Sequence, residues 1–385
     1  MKGTFKIVCL ALTLVSLVFV GSCQGKAGGA VIKIGVFEPM SGVNAAGGVM
    51  EVQGIRLANE LNPTLELDGK TYKVELVIAD NRSDKDEAAN AVRRLIERDK
   101  VNVILGSWGS SLSIAGGEVA KDAGIPCIGL SCTNPLVTFG NDWYFRVCFI
   151  DPFQGTVMAN YAYNDLGART ALIVQELSND YSVGLAKFFV DNFVSLTGNP
   201  NAILATVNYN TGAHDFSAQF TAIRSLNPDV IFAPGNYTES ALVIKQAREL
   251  GINAPIIGGD TWEAQEFIDA GQERVEGAAF STFFAAEYAG TTEAQTFLDE
   301  YAARYDKEPA AFTALGYDGY LIALDAIKRA GSLEPAKIRD AIAATAGFAG
   351  ATGITTIDEN GDATKSAYIK AVEGGKFIFR TIVNP

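Results

Sequence analysis

Residues 101–111 read V-N-V-I-L-G-S-W-G-S-S. Apart from Asn102 the first six are apolar, with β-branched Val101, Val103 and Ile104, the composition of a strand buried on both faces of a sheet. A Ser- and Gly-containing turn follows, and a helix is expected to open near Ser110. The same unit recurs outward in both directions. Upstream, V-I-K-I-G-V-F (31–37) and K-V-E-L-V-I-A-D (73–80) read as strands. Between them, Val49, Val52, Ile55 and Leu57 lie at helical spacing within 47–61. An amphipathic helix over 84–98 turns Ala88, Val92, Leu95 and Ile96 inward. Downstream, P-C-I-G-L (126–130) and W-Y-F-R-V (143–147) are further strands.

The pattern restarts after Asp151-Pro152. A helix at 152–165 precedes T-A-L-I-V-Q-E (170–176), and a helix at 182–196 precedes A-I-L-A-T-V-N-Y (202–209). Helices at 215–226 and 238–250 flank V-I-F-A-P-G (230–235), followed by P-I-I-G-G-D (255–260) and G-A-A-F-S-T-F-F (277–284). Helices at 292–305, 312–330 and 335–345 lead to a turn at 359–362 and strands near 366–372 and 376–382. Repeated β–α alternation predicts an α/β chain of two doubly wound, Rossmann-like lobes.

Composition narrows the function. The 385 residues are 48% hydrophobic and 19% charged, which fits a globular body with a sizeable core. A formal net charge of −13 argues against a nucleic-acid partner, because phosphate binding needs a basic surface. The single histidine, His214, reads as an exposed loop residue and weighs against histidine catalysis or a His-rich metal site. There is no P-loop, no H-E-x-x-H, no Rossmann G-x-G-x-x-G and no G-x-S-x-G elbow. Asp80, Asp84 and Asp86 lack the Gly and Glu of a calcium loop and read as a solvated strand–helix turn. No enzyme, no metal and no cofactor are therefore expected.

The N-terminus reads as an address. Lys2 and Lys6 precede 14 uncharged, mostly apolar residues at 7–20, too few for a membrane span. Val20-Gly21-Ser22-Cys23 then resembles a bacterial lipobox, with signal cleavage before a lipid-modified Cys23. Residues 1–22 are thus expected to be a signal peptide and 23–30 a flexible tether, with acyl chains holding the protein on a membrane surface. Of the remaining cysteines, Cys127, Cys132 and Cys148, one pair is compatible with a disulfide in an oxidising compartment. Burial as small apolar side chains is the expected state of at least one.

Open α/β sheets bind ligands beyond the carboxyl ends of their strands. The turn Ser107–Ser111 offers backbone N–H groups and hydroxyls at a helix start, suited to a carboxylate. Ser131-Cys132-Thr133-Asn134-Pro135 is a similar polar turn, and from spacing alone helix capping accounts for both more readily than ligand binding. Trp108 reads as core aromatic or cleft lining. Asp260, at the end of a strand, reads as a partner for a cation or as a helix cap. Tyr181 and Tyr237 occupy equivalent loops of the second lobe.

In order and at the right spacing, several short motifs resemble the substrate-binding proteins of branched-chain amino-acid ABC transporters, the leucine/isoleucine/valine-binding type. They are I-K-I-G-V with M-S-G (32–42), V-I-L-G-S with G-S-S (103–111), G-I-P (124–126) and S-C-T-N-P (131–135). Others are F-R-V (145–147), D-F-S (215–217), I-x-Q-A-R-E-L-G (244–251) and G-Y-D-G (316–319). The resemblance implies a type I periplasmic binding protein fold with a ligand cleft between interleaved lobes: 31–150 plus 282–357, and 151–281 plus 358–385. It implies an amino-acid ligand, an ABC permease as partner and a monomer tethered outside the cytoplasm. Ser110 and Thr133, with the main chain of Ser131, would hold an α-carboxylate, and Asp260 and Tyr237 an α-ammonium. Trp108, Tyr181, Phe312 and Ala46 would line the side-chain pocket. Relatives that bind aliphatic amino acids often carry a tyrosine near Ala46, which this chain lacks. Ser83 and Gly109 stand where the leucine-type protein has a disulfide. The wider family also binds urea, amides and aromatic acids, and a sensory binding module is the alternative to transport.

Overall fold

A computed structural model describes residues 30–305 and 307–385. The signal segment and Cys23 lie outside the described residues. The first sheet draws on β1 (Val31–Glu38), β2 (Thr64–Leu67), β3 (Lys70–Asp80), β4 (Val103–Leu105), β5 (Cys127–Gly129) and β6 (Tyr144–Arg146). Its order is β2-β3-β1-β4-β5-β6, parallel except for edge strand β2. Helices α1 (Ala45–Leu61), α2 (Lys85–Glu97) and α3 (Ser110–Ala123) connect these strands. Ile32, Ile34 and Val36 pack with Val52 and Ile55 on one face, while Phe37 joins Val92 and Leu95 on the other. The sheet is thus covered on both faces, as a parallel sheet requires.

The second sheet begins after α4 (Asp151–Asn160), which ends in a wider π-type turn at Tyr161–Asp165. It comprises β7 (Ala171–Glu176), β8 (Ile203–Tyr209), β9 (Val230–Phe232), β10 (Ile256–Gly258) and β11 (Ala279–Thr282). Between them run α5 (Asp180–Thr197), α6 (Ser217–Ile223), α7 (Tyr237–Glu249) and α8 (Gln265–Gly271). Three helices follow: α9 (Thr292–Arg304), α10 (Ala311–Ala330) and α11 (Pro335–Ala343). A hairpin, β12 (Phe348–Gly350) and β13 (Gly353–Thr355), precedes β14 (Ala367–Glu373) and β15 (Lys376–Val383). The sheet order is β15-β14-β11-β10-β9-β7-β8, with β14 antiparallel to both of its neighbours.

Helix α10 packs on α1, far back in the chain. The two backbones touch at glycines: a Cβ on Gly54 would lie 1.9 Å from the Thr313 carbonyl oxygen, and one on Gly316 2.1 Å from that of Glu51. Strands β14 and β15, by contrast, extend the second sheet.

Four local expectations need correction. Val49 is exposed, because α1 turns Gly48, Val52, Ile55 and Ala58 inward instead. Helix α6 is shorter than 215–226 because its ends frame exposed turns. Strand β2 was not anticipated, although Asp68-Gly69, both at positive φ, make a two-residue hairpin turn into β3. The β12–β13 hairpin is held from outside: Asp318 of α10 accepts from the Ala351 and Thr352 amides. Cys127, Cys132 and Cys148 are all buried and free, so no disulfide forms among them. His214 is an exposed loop residue, as expected. Asp84 caps α2 by accepting from the Glu87 amide. Among the described residues, no helix is long and apolar enough to cross a membrane, and no cluster of potential metal ligands occurs.

Candidate ligand cleft

The carboxyl ends of the two parallel sheets face each other, and their loops form a cleft. On one side the chain turns after β4 into α3. Ser110 begins α3, is buried, and its Oγ accepts from the Asn134 amide at 3.1 Å. That bond joins the two polar turns singled out in the sequence. Arg146, fully buried at the end of β6, fixes the second turn from behind. Its guanidinium donates to the carbonyls of Cys132 (2.7 Å) and Asn134 (3.0 Å) and pairs with Asp362 (2.7 Å). Thr133 is held between these carbonyls, and its own carbonyl accepts from the Asp151 amide.

The opposite wall comes from α5, α7 and the segment after β10. That strand stops at Gly258, and Asp260 opens a short 3₁₀ turn, Asp260–Trp262, rather than ending the strand itself. Asp260 is buried, and its Oδ1 accepts from Gln154 Nε2 (2.6 Å) and the Tyr181 hydroxyl (3.0 Å). The tyrosine beside Asp260 is therefore Tyr181, not Tyr237. Gly259 makes this possible: a Cβ there would lie 2.1 Å from the Tyr181 hydroxyl oxygen. Tyr237 starts α7 and reaches across the cleft. Its hydroxyl donates to the Val43 carbonyl (2.8 Å) and accepts from the Ala46 amide (3.2 Å).

The walls also meet at the rim. Asn236 donates to Asn44 (3.0 Å), and Asn134 donates to the Asp180 carbonyl (2.7 Å). The Asp180 carboxylate accepts from Ser111 (2.7 Å) and Lys85 (3.0 Å). The space left inside is lined by Ser110, Ser131, Tyr181, Asn236 and Thr261. Trp108 is buried at one end, edge-on to Tyr237 (5.8 Å) and Phe312 (5.9 Å). Gly47, beside half-buried Ala46, admits the indole: a Cβ there would lie 2.3 Å from Nε1. The aromatic ring thus fills the region where the chain has no tyrosine near Ala46.

The electrostatics of the cleft are unusual. Burial pushes Asp260 up to about 7, against hydrogen bonds from Gln154 and Tyr181 that favour its charged form. Burial also pushes Asp151 up to about 8, with the Asp260 charge adding to the effect. Asp151 and the Thr133 hydroxyl have no partner of hydrogen-bond geometry among the described residues, though the hydroxyl lies close enough to favour the ionised carboxylate. On the other wall, burial pushes Glu51 up to about 8. Buried cations are paired already: Arg146 behind the Thr133 turn with Asp362, Lys370 with Glu263 at 2.8 Å, while Lys365 faces Asp318. Hydroxyls and amides lining a cleft with buried carboxyl groups close behind them suit a small zwitterion.

Residues 31–376 match the sequence pattern of a family described as periplasmic binding protein. The chain belongs to the periplasmic binding protein family. Among solved structures it is similar to a leucine binding protein from Thermotoga maritima, with 44% identity and a TM-score of 0.88, covering 92% of this chain and 99% of that one. It is similar also to the branched-chain amino-acid transporter substrate-binding protein of Streptococcus pneumoniae in complex with isoleucine. There the identity is 34% and the TM-score 0.84, over 92% of this chain and all of that one. A Leu/Ile/Val-binding protein from Rhizobium johnstonii is 29% identical over 354 residues, 90% of this chain and 93% of that protein. The fold is that of the type I periplasmic binding proteins.

Three buried residues beside the cleft of this periplasmic binding protein carry no assignment from the sequence. In sequence Asp151 marks only the boundary before Pro152, and Gln154 follows it one turn on in α4. Glu51 carried a signal: it is a charged residue on the stripe Gly47, Glu51, Ile55 and Ala58 that α1 buries. A carboxylate on a buried stripe needs a partner or a role.

Proposed function

We propose that this protein captures an amino acid, branched-chain or otherwise hydrophobic, and delivers it to an ABC permease without chemical change. The observation that carries this reading is the buried Asp260 carboxylate, hydrogen-bonded by Tyr181, which lines the cleft together with Ser110 and Ser131. Ser110, Thr133 and the main chain of Ser131 receive the α-carboxylate. Asp260, braced by Tyr181, receives the α-ammonium. Trp108, Phe312 and Ala46 surround the side chain, and Tyr237 closes over it by its bonds to Val43 and Ala46. The relatives from Thermotoga and Streptococcus, described as leucine-binding and isoleucine-bound, support the ligand class. Closure is a hinge motion of two lobes, 31–150 plus 282–357 and 151–281 plus 358–385. The packing of α10 on α1 and the place of β14 in the second sheet support these boundaries.

Ligand titrations test the reading. L-Leucine, L-isoleucine and L-valine should each raise the thermal midpoint, because a ligand at 100 times its Kd stabilises a protein by about 2.7 kcal/mol. No shift with any proteinogenic amino acid would overturn it. The pH dependence has a definite sign. In the free protein Asp260 is pushed up to about 7, so below that pH it is protonated and must lose its proton to take an ammonium. Affinity should therefore fall, by roughly tenfold per pH unit, as pH drops below about 7. Affinity that is flat from pH 5 to 8 would remove Asp260 from the site.

The protein works outside the cytoplasm, as its family does. We propose further that it is a monomer anchored by acyl chains on Cys23. Cys23→Ser should shift the expressed chain from the membrane fraction to the soluble one; unchanged fractionation would overturn the anchor.

A further inference from the structure

Two carboxyl side chains meet inside the first half of the molecule, beneath the turns assigned to the ligand carboxylate. Glu38 ends β1 and Glu51 lies mid-way along α1; both are fully buried. Glu38 Oε2 accepts from the Trp108 amide (2.7 Å) and the Ser107 hydroxyl (3.5 Å). Glu51 Oε1 accepts from the Ser131 hydroxyl (2.5 Å). The remaining oxygens, Glu38 Oε1 and Glu51 Oε2, have no hydrogen-bond donor among the described residues. The two carboxyl groups lie within hydrogen-bonding reach of each other. Two carboxylates so placed cannot both ionise, and a single proton between them makes a hydrogen bond where there was repulsion.

We infer that Glu38 and Glu51 share one proton, and that this acid–carboxylate pair ties the Trp108 turn to the Ser131 turn, holding Ser110 and Thr133 in register for the ligand. Glu51 is thus a positioning residue. It acts through Ser131 and, by way of Glu38, through Trp108. The inference rests on the amino-acid reading of the cleft but predicts behaviour of the ligand-free protein as well.

The surroundings favour one negative charge on the pair rather than two. Facing it are the Trp108 amide and Ser107 hydroxyl from the loop after β4, Ser131 and the Cys132 thiol from the loop after β5, and Asp260 from across the cleft. Tyr144 of β6 lies close enough to feel Glu38. No lysine or arginine forms an ion pair with either glutamate among the described residues. Burial raises both groups, and each is raised further by a neighbouring carboxylate: Glu38 by Glu51, and Glu51 by Asp260. Loss of the shared proton at alkaline pH would set two buried charges side by side and push the turns apart.

The test uses the full-length wild type with Glu51→Gln, Glu51→Ala and the double variant Glu38→Gln/Glu51→Gln. In ligand-free protein near pH 7, infrared spectra should contain a protonated-carboxyl absorption that the double variant lacks. Amide exchange in the two turns should speed up at least tenfold in Glu51→Ala and stay near the wild-type rate in Glu51→Gln. A glutamine can accept from Ser131 and donate to Glu38 without a shared proton. With L-leucine as probe, Glu51→Ala should weaken binding by at least tenfold and Glu51→Gln by less than threefold. The ratio of wild-type to Glu51→Gln affinity cancels the titration of the ligand itself, and it should fall as pH rises from 7 to 9.

Equal infrared spectra for wild type and double variant would overturn the shared proton. Unchanged exchange and leucine affinity in Glu51→Ala would overturn the positioning role. If the infrared and exchange results hold but no amino acid binds even the wild type, the tie between the turns stands and the amino-acid reading fails.

Discussion

Asp260→Ala should lower leucine affinity on the order of 100- to 1,000-fold, the largest loss expected from any single change in the cleft. The carboxylate is buried and hydrogen-bonded by Gln154 and Tyr181, so it is held in place before ligand arrives. Removing one partner of a desolvated charge pair costs about 2–5 kcal/mol, because the other charge is left buried without compensation. Here the stranded charge would be the ligand ammonium, which would otherwise keep its water. Asp260→Asn keeps the shape and an acceptor oxygen but removes the charge, and it should recover only a small part of the loss. The ligand-free variants should fold normally, since burial already disfavours the charged form of Asp260. Calorimetric titration beside a ligand-free melting curve separates the two effects. Affinity of Asp260→Ala within threefold of wild type would refute the ammonium contact.

The second large effect concerns stability. Gly54→Ala should cost about 3 kcal/mol, the upper end of the usual range for overpacking, and lower the melting midpoint of a chain this long by roughly 4 °C. The new methyl group would lie 1.9 Å from the Thr313 carbonyl oxygen, a backbone atom that no rotamer change can move aside. Helices α1 and α10 would have to separate, carrying Glu51 away from Ser131. Gly316→Ala, which meets the Glu51 carbonyl at 2.1 Å, should behave alike. Gly290→Ala is the control, because its nearest neighbour is the Tyr288 carbonyl at 3.8 Å. Thermal melts of the three variants decide the matter, and a Gly54→Ala midpoint within 2 °C of the control would contradict the close packing.

Much of the fold was legible because its signals are local. An apolar run such as Val103-Ile104-Leu105 has only one comfortable place in an α/β protein, the interior of a parallel sheet. Helix α2 announced itself by the inward spacing of Ala88, Val92 and Leu95, and the structure adds the Asp84 cap. Misses came where a local signal was weak or shared. Strand β2 is short and exposed, and only its Asp-Gly turn marked it. Val49 fitted the helical spacing but fell on the solvent side, because three glycines let α1 bury a different stripe.

The cleft was legible in part for the same reason. A Ser-rich turn between strand and helix is a recognisable place for an anion, so Ser110 and Thr133 stood out. The partner of Asp260 was not recoverable, since Tyr181 and Tyr237 sit in equivalent loops and only their directions differ. Tyr181 points inward because Gly259 leaves room for its hydroxyl, whereas Tyr237 points across the cleft to Val43.

The sequence by itself determined the elements, their alternation and the polar turns at the strand ends, because each depends on residues a few positions apart. Tertiary structure alone decided which of those turns oppose one another. Gln154 and Asp260 are 106 residues apart, and Ser131 and Glu51 are 80 apart. No short-range pattern encodes such pairings. They follow from how helices and sheets pack, and burial then raises the proton affinity of the carboxyl groups that this packing places beside the cleft.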